Sequence, residues 1–144
     1  MYRRQDSGME FEYPQNLLVD NFPANNRSLR IAVVSETYPP EVNGVAVTLS
    51  KVVEGLRNAN HAVQLIRLRQ NGTDAAAQDD MYAGYQEVLM RGFPIPNYPD
   101  LRMGIPSKSS LIRLWQLKRP DIVHIATEGP LGWSALRAAM YLKL

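Results

Sequence analysis

The order of apolar strands and amphipathic helices in this sequence predicts an α/β protein with a Rossmann-like doubly wound parallel sheet. Residues 29–35 form a continuous apolar run, typical of a strand covered on both faces. From Val45, apolar residues recur at a spacing of three and four, which indicates a helix. Residues 62–68 then form a second strand. Strand, turn, helix and strand in this order form a βαβ unit.

Turn chemistry separates the first strand from its helix. Pro39 and Pro40 stop any helix, and Asn43-Gly44 permits a sharp turn before the helical spacing begins. We expect the helix to end near residues 58–60. The second strand alternates apolar and polar residues, which predicts that it is less buried than the first.

The second half of the sequence continues the alternation of strands and helices. The elements expected there are an exposed loop at 71–80, a short strand at 87–91, an extended irregular path at 93–102, a helix at 108–117, a strand at 121–126 and a helix at 132–142. Three prolines exclude a helix from 93–102. The four strands fall below the average of about 5 to 6 in a sheet, which predicts a truncated domain.

Composition narrows the class of protein. The chain has 144 residues, a net charge of +2 and no cysteine. This charge is far below the basic excess of a dedicated nucleic-acid binder, so we expect no nucleic-acid partner. The lack of cysteine excludes disulfides and thiolate nucleophiles. His61 and His124 lie far apart in the sequence, and we expect no metal site.

The amino-terminal residues differ from the rest of the chain. Scattered charges and two prolines predict a flexible tail at 1–28, followed by a single domain at 29–144. The tail lacks the apolar core of a signal peptide, and no later stretch approaches the roughly 20 apolar residues of a membrane span. We therefore expect a cytoplasmic protein.

Two glycine-containing turns follow strands that should be neighbours, at 36–44 and 127–132. Ligands bind beyond the carboxyl ends of parallel strands, and the start of a helix favours an anion, so the turns predict an anion-binding crevice. The dinucleotide and P-loop fingerprints are absent. On its own, Asn-Gly before a helix is more often an ordinary tight turn than a phosphate site. His124 fits a core or edge position or a ligand-lining one, and Glu128 either accepts sugar hydroxyls or only faces a helix start.

Three segments together carry a resemblance. Residues 31–45, the Pro-x-Pro-x-Tyr-Pro-x-x-Arg pattern at 94–102, and residues 120–132 resemble the amino-terminal domain of retaining GT-B glycosyltransferases of family 4, in the mannosyltransferase and glycolipid-synthase branches. The resemblance extends from Leu29 to the last residue. It implies the incomplete amino-terminal half of a GT-B fold and transfer of a sugar, with retention, from a UDP- or GDP-linked donor to an acceptor hydroxyl. No permanently bound cofactor is implied.

The resemblance also assigns site residues. Asn43 and Gly44 match the loop that approaches the donor phosphate. The residues matched to acceptor contacts are Tyr38, Glu41, His124, Glu128 and Gly129. No catalytic residue falls in this chain, which stops before the family's Phe-His-Thr-like motif and before its carboxy-terminal donor-binding domain. We therefore expect the isolated chain to be inactive.

A basic stretch suggests a surface role. Residues 102–119 contain five basic side chains and no acidic one, with leucines and Trp115 between them. Such a helix either lies on an anionic membrane or packs its apolar side on the sheet. The resemblance favours the membrane, because lipid-acceptor members dock through a basic amphipathic helix. The predicted membrane-surface residues are Lys108, Arg113, Trp115, Lys118 and Arg119.

The leading hypothesis is that this chain is part of a glycosyltransferase that acts on a lipid-linked acceptor at the cytoplasmic membrane face. The alternative is a non-catalytic subunit that binds the acceptor or anchors a separate donor-binding chain to the membrane. A third hypothesis is a Rossmann-like nucleotide binder without transfer chemistry.

Overall fold

A computed structural model describes residues 27–70, 74 and 84–144, with the backbone alone at residues 99 and 100. Its elements are β1 (Arg30–Ser35), α1 (Gly44–Asn58), β2 (Ala62–Leu68), β3 (Tyr85–Met90), β4 (Gly92–Ile95), β5 (Tyr98–Gly104), α2 (Lys108–Leu117), β6 (Ile122–Ile125) and α3 (Pro130–Leu142). The predicted tail lies outside the described residues except for Arg27 and Ser28, and the predicted loop at 71–80 does so except for Asp74.

Four strands form the main sheet, in the order β3-β2-β1-β6, and every pair is parallel. Val33 of β1 lies opposite Leu65 of β2 and His124 of β6. Connections between parallel strands are right-handed. A helix that leads to a strand on one side of β1 therefore lies on one face of the sheet, and a helix that leads to a strand on the other side lies on the opposite face. Helix α1 packs on one face, and α2 and α3 pack on the other. The predicted Rossmann-like doubly wound sheet is confirmed.

The face under α1 is a compact apolar cluster. Ile31 and Val33 of β1 pack with Val63 and Leu65 of β2. Leu49 and Val53, four residues apart on α1, close the cluster. This spacing gives α1 a single buried stripe and leaves its opposite side in solvent.

The other face is centred on Trp115 of α2, which has no exposed area. Its indole Nε1 donates a hydrogen bond to Oε1 of Gln64 at 3.0 Å, so the polar end of the ring is satisfied. Leu131 and Ala135 of α3 pack into the same cluster. The apolar side of α2 therefore covers the sheet.

Strand β2 lies between β1 and β3, and its Leu65 and Ile66 have no exposed area, whereas Ala62 and Gln64 are only half-buried. The polar residues that created the alternation have partners inside the fold. Gln64 bridges α2 and β3, and the guanidinium of Arg67 bonds to the carboxylate of Glu87. Polar side chains paired in this way remain buried at little cost.

The extended, non-helical backbone expected at 93–102 is confirmed, but the expectation that its path is irregular is wrong. The segment forms an antiparallel hairpin of β4 and β5, in which Phe93 lies opposite Met103. A register shift occurs at Pro94, and Asn97 has a positive φ of 68° at the turn. Proline tolerates such a place in a two-stranded hairpin, because each strand has an edge that needs no ladder bond.

An ion pair joins the amino end of β1 to the start of β6. Nη2 of Arg30 lies 3.0 Å from Oδ1 of Asp121, and the backbone amide of Arg30 donates to Oδ2 at 2.8 Å. These hydrogen bonds lower the pKa of Asp121 to about 2. The pair therefore fixes β6 against β1 over the ordinary pH range.

We predict that Trp115→Ala destabilises the domain by about 3 to 5 kcal/mol, because it removes a fully buried ring and leaves a cavity. Leu117→Ala on the same helix is the matched control, since that side chain is 85% exposed and its loss is expected to change stability by no more than about 0.5 kcal/mol. Urea unfolding followed by circular dichroism measures both. Equal effects would contradict this packing of α2.

Candidate functional site

The two glycine-containing loops lie side by side at the carboxyl edge of the sheet. Val34 of β1 lies opposite Ile125 of β6, so both chains leave the sheet at the same level. The backbone amide of Glu36 then donates to Oγ1 of Thr127 at 2.8 Å. This bond joins the loop at 36–44 to the loop at 127–132.

The side chain of Glu36 occupies the start of α3. Its Oε1 accepts from the backbone amide of Leu131 at 2.7 Å, and its Oε2 accepts from the amide of Gly104 at 3.1 Å. Leu131 lies in the first turn of α3, where free amides and the helix dipole favour an anion. The anion at this helix start is therefore the chain's own carboxylate.

Three glycines make room for this arrangement. A Cβ at Gly129 would lie 2.1 Å from Oε1 of Glu36, and one at Gly104 would lie 2.8 Å from the Cβ of Leu131. A Cβ at Gly132 would lie 2.2 Å from the carbonyl oxygen of Thr127. Gly129, which the resemblance assigned to acceptor contacts, therefore has a packing reason of its own.

The first loop ends in the start of α1, which Asn43 caps. Its Oδ1 accepts from the amide of Ala46 at 2.8 Å, and its Nδ2 donates to Oγ1 of Thr37 at 2.8 Å. Helix geometry gives the amides of Gly44 and Val45 no acceptor within the helix. A Cβ at Gly44 would meet nothing within 4 Å. No described residue therefore covers the place where a Cβ of Gly44 would stand.

Tyr38 and Glu41 are held in the first loop by the domain itself. Oε1 of Glu41 accepts from Nε2 of Gln70 at 2.6 Å, and its Oε2 accepts from the hydroxyl of Thr37. Tyr38 packs against the cluster under α1, and burial, with the charge of Glu87 adding to it, raises the pKa of its hydroxyl. Their acceptor contacts stay predictions.

His124 and Glu128 are both exposed. His124 is on β6, which in the described part of the chain pairs with β1 alone, so a core position for this histidine is wrong. Glu128 stands between Thr127 and Gly129 in the second loop. Both side chains are accessible to a ligand beside the loop. No hydrogen bond or ion pair joins His124 to Glu128, so the structure does not assign them a common role.

The five predicted membrane-surface residues have different surroundings. Trp115 is buried, so its membrane-surface role is wrong. Nζ of Lys108 lies 5.5 Å from the ring centroid of Tyr141, and Nη2 of Arg119 donates to the carbonyl of Leu142 at 2.8 Å.

Arg113 and Lys118 are exposed on or just beyond α2. Within residues 27–70 and 84–144, no helix combines the length and apolar character needed to cross a membrane.

The sequence did not predict the buried ionic cluster at the carboxyl end of β2. Arg67 binds Glu87, and its Nη1 lies 3.0 Å from Oδ1 of Asp74. Burial alone would lower the pKa of Arg67, but the two carboxylates outweigh it and raise the pKa. The described residues hold no group of three or more His, Cys, Asp or Glu side chains placed to bind a metal ion.

Glu36 was also not singled out in the sequence. The signal was available in its position, because an acidic residue directly after a buried strand reaches the start of a helix that follows the neighbouring strand.

A parallel sheet covered on both faces, with two loops at its carboxyl edge and one open helix start, defines a Rossmann-like ligand-binding domain. The chain belongs to glycosyltransferase family 4, whose sequence profile matches residues 42–144.

Characterised relatives agree with this family. The chain is 31% identical over 120 residues to a GDP-mannose-dependent alpha-mannosyltransferase of Corynebacterium glutamicum, covering 82% of this chain and 28% of that protein. It is 29% identical over 114 residues to an enzyme of the same name from Mycolicibacterium smegmatis, covering 79% of this chain and 30% of that protein. An alpha-monoglucosyldiacylglycerol synthase of Streptococcus pneumoniae is 26% identical over 116 residues, covering 81% and 25%. No solved structure matches the chain.

We predict that Glu36→Ala lowers the free energy of unfolding by about 2 to 3 kcal/mol, because the amides of Gly104 and Leu131 lose a charged acceptor. Glu128→Ala, an exposed carboxylate in the adjoining loop, is the matched control and is expected to cost no more than about 0.5 kcal/mol. Thermal or urea unfolding measures the difference. If the two variants proved equally stable, the contact of Glu36 with α3 would be refuted.

Proposed function

We propose that this chain is the acceptor-side part of an enzyme that transfers a sugar from a nucleotide-diphosphate sugar to the hydroxyl of a lipid-linked acceptor, with retention. The observation that carries the proposal is the open start of α1 at Gly44, next to a second helix start already filled by Glu36. The two relatives named GDP-mannose-dependent favour GDP-mannose as the donor. The glycolipid in the name of the Streptococcus relative favours a lipid acceptor.

The open helix start suits the phosphate end of such a donor. Transfer leaves negative charge on the departing diphosphate, and donors that face this charge lower the barrier. The amides of Gly44 and Val45 point along the positive end of the α1 dipole. Because Gly44 has no side chain, a phosphate oxygen can approach the backbone closely.

The same loops lack the cations that this step also needs. Residues 36–44 and 127–132 contain three glutamates and no lysine or arginine. We infer that a separate donor-binding domain supplies them, and that the isolated chain does not turn over. The chain spans between a quarter and a third of the length of the curated relatives it matches.

The acceptor side of the crevice has the chemistry for hydroxyl groups. Carboxylates accept hydrogen bonds from sugar hydroxyls, and Glu128 and His124 are exposed there. Tyr38, Glu41 and Gly129 border the same loops, so we assign all five to the acceptor side. We assign no catalytic residue to this chain.

The free edge of the sheet offers a place for further polypeptide. Ile122 on β6 is 46% exposed, and α3 exposes Trp133 at 64% and Met140 at 71%. A right-handed crossover through α3 adds the next parallel strand at the free side of β6. We propose that residues 29–144 form part of a larger Rossmann-like domain that is completed there. The alternative, a non-catalytic acceptor-binding or membrane-anchoring subunit, would use the same edge to bind a donor-binding chain.

We further propose a cytoplasmic protein that touches an anionic membrane peripherally. Since Trp115 is buried, the contact rests on the exposed side of α2, where Arg113 and Leu117 lie. A cation near an anionic membrane surface contributes about 1 kcal/mol, so a single helix side gives weak and reversible attachment.

The transfer proposal is tested by placing residues 29–144 of this chain in the Corynebacterium relative in place of the corresponding segment. The chimera is expected to transfer mannose from GDP-mannose, and the isolated chain is expected to show no turnover. Gly44→Ala in the chimera should lower kcat/KM at least tenfold, since a Cβ would obstruct the phosphate. In the isolated chain the same change should leave stability within about 0.5 kcal/mol.

Robust transfer by the isolated chain would contradict the need for a donor-binding domain. A chimera that folds and transfers equally well with Gly44→Ala would refute the role given to the start of α1.

Membrane contact is tested by sedimentation with liposomes, with and without anionic lipid. Arg113→Glu is expected to reduce binding to anionic liposomes roughly tenfold or more, through a charge change of two at the surface. Lys51→Glu, an equal change on the opposite face in α1, is the control. Equal binding to neutral and anionic liposomes would exclude the electrostatic contact.

A further inference from the structure

A cavity of about 340 Å³ opens at the amino ends of the strands, away from the crevice. Apolar groups of three strands and of the segment after α2 line it, among them Ile31, Val63, Tyr85 and Pro120. Strand β1 runs between the two places, and its length at about 3.3 Å per residue separates them by about 20 Å. The cavity is therefore distinct from the crevice.

The rim of this cavity carries an apolar side chain in solvent. Leu117, the last residue of α2, is 85% exposed and lines the opening. Leu111, earlier on the same helix, has no exposed area. An exposed leucine at the mouth of an apolar cavity extends the apolar surface of the lining outward. An alkyl chain that enters the cavity can remove this surface from water.

The charges on the lining have a single sign. Among the described residues, Arg30, Lys118 and Arg119 line the cavity, and no acidic side chain does. Arg30 is paired with Asp121 at 3.0 Å, and Arg119 donates to carbonyls at the end of α3. Nζ of Lys118 meets Oε1 of Gln86 at 3.4 Å, a weak contact. Lys118 is therefore the cation best placed to receive an anion.

We propose that this cavity binds a single-chain anionic amphiphile, with the alkyl chain against the apolar lining and the carboxylate at Lys118. The volume lies in the range of small-ligand sites, roughly 300 to 1,000 Å³. Charge complementarity selects an anionic head group, and the apolar interior selects the chain. The site does not depend on sugar transfer and is assigned on its own geometry.

The test is calorimetric titration of the 144-residue chain with octanoate and decanoate as monomers in solution. Each methylene that enters the cavity is expected to tighten binding about fourfold. Decyltrimethylammonium, which has the same chain and the opposite charge, should bind at least tenfold more weakly than decanoate.

Variants locate the site. Lys118→Glu should weaken decanoate binding at least tenfold, Lys118→Arg should preserve it, and Leu117→Asp should weaken it through loss of apolar contact and added repulsion. Arg137→Glu, an equal charge change at an exposed position outside the lining, and Leu136→Asp on the same helix α3 are matched controls that should leave binding unchanged. All four positions carry exposed side chains, and circular dichroism verifies that each of the five variants folds.

Three results would overturn the proposal. One is the absence of decanoate binding at millimolar concentration. Another is equal binding of the anionic and cationic amphiphiles. The third is a loss with Arg137→Glu as large as that with Lys118→Glu, which would show a general charge effect instead of a site.

Discussion

The geometry of the crevice depends on the contact between the carboxylate of Glu36 and the amides of Leu131 and Gly104. Three parts of the chain meet at this one side chain: the end of β1, the end of the β4–β5 hairpin and the start of α3. A carboxylate on helix amides is a strong hydrogen-bond acceptor, and it compensates the positive end of the α3 dipole. As a consequence, α3 offers no place for an external anion, and the start of α1 remains the open one.

Packing explains some of the glycines around the crevice but does not explain Gly44. Gly104, Gly129 and Gly132 stand where any Cβ would collide with the surrounding chain, so the fold alone explains them. Gly44 stands at a helix start where a Cβ would meet nothing, so packing does not explain it. A glycine without a packing reason, next to unpaired helix amides, is the pattern expected where a ligand approaches the backbone. This contrast supports the assignment of the donor phosphate to the first loop.

The spacing of apolar residues in the sequence predicts most of the helices and strands of the fold. The expected bounds of β2 and α2, 62–68 and 108–117, agree with the observed elements because each has a clear apolar period between turn signals. Periodicity does not reveal what covers an apolar stripe, so the side of α2 that holds Trp115 was assigned to a membrane although it packs on the sheet. The proline-rich hairpin was missed because its prolines occupy irregular or edge positions. The partner of Glu36 lies 95 residues away, a pairing that no local pattern indicates.

The central claim is that phosphate approaches the start of α1 and not the start of α3. Nuclear magnetic resonance of the isotope-labelled chain during titration with GDP-mannose tests it most directly, since weak binding to a single domain still shifts backbone amide signals. The account predicts shifts at Gly44 and Val45, with Leu131 and Gly104 unchanged because Glu36 already binds their amides. Shifts confined to the loop at 127–132, or no shift at Gly44 at saturating concentration, would contradict it.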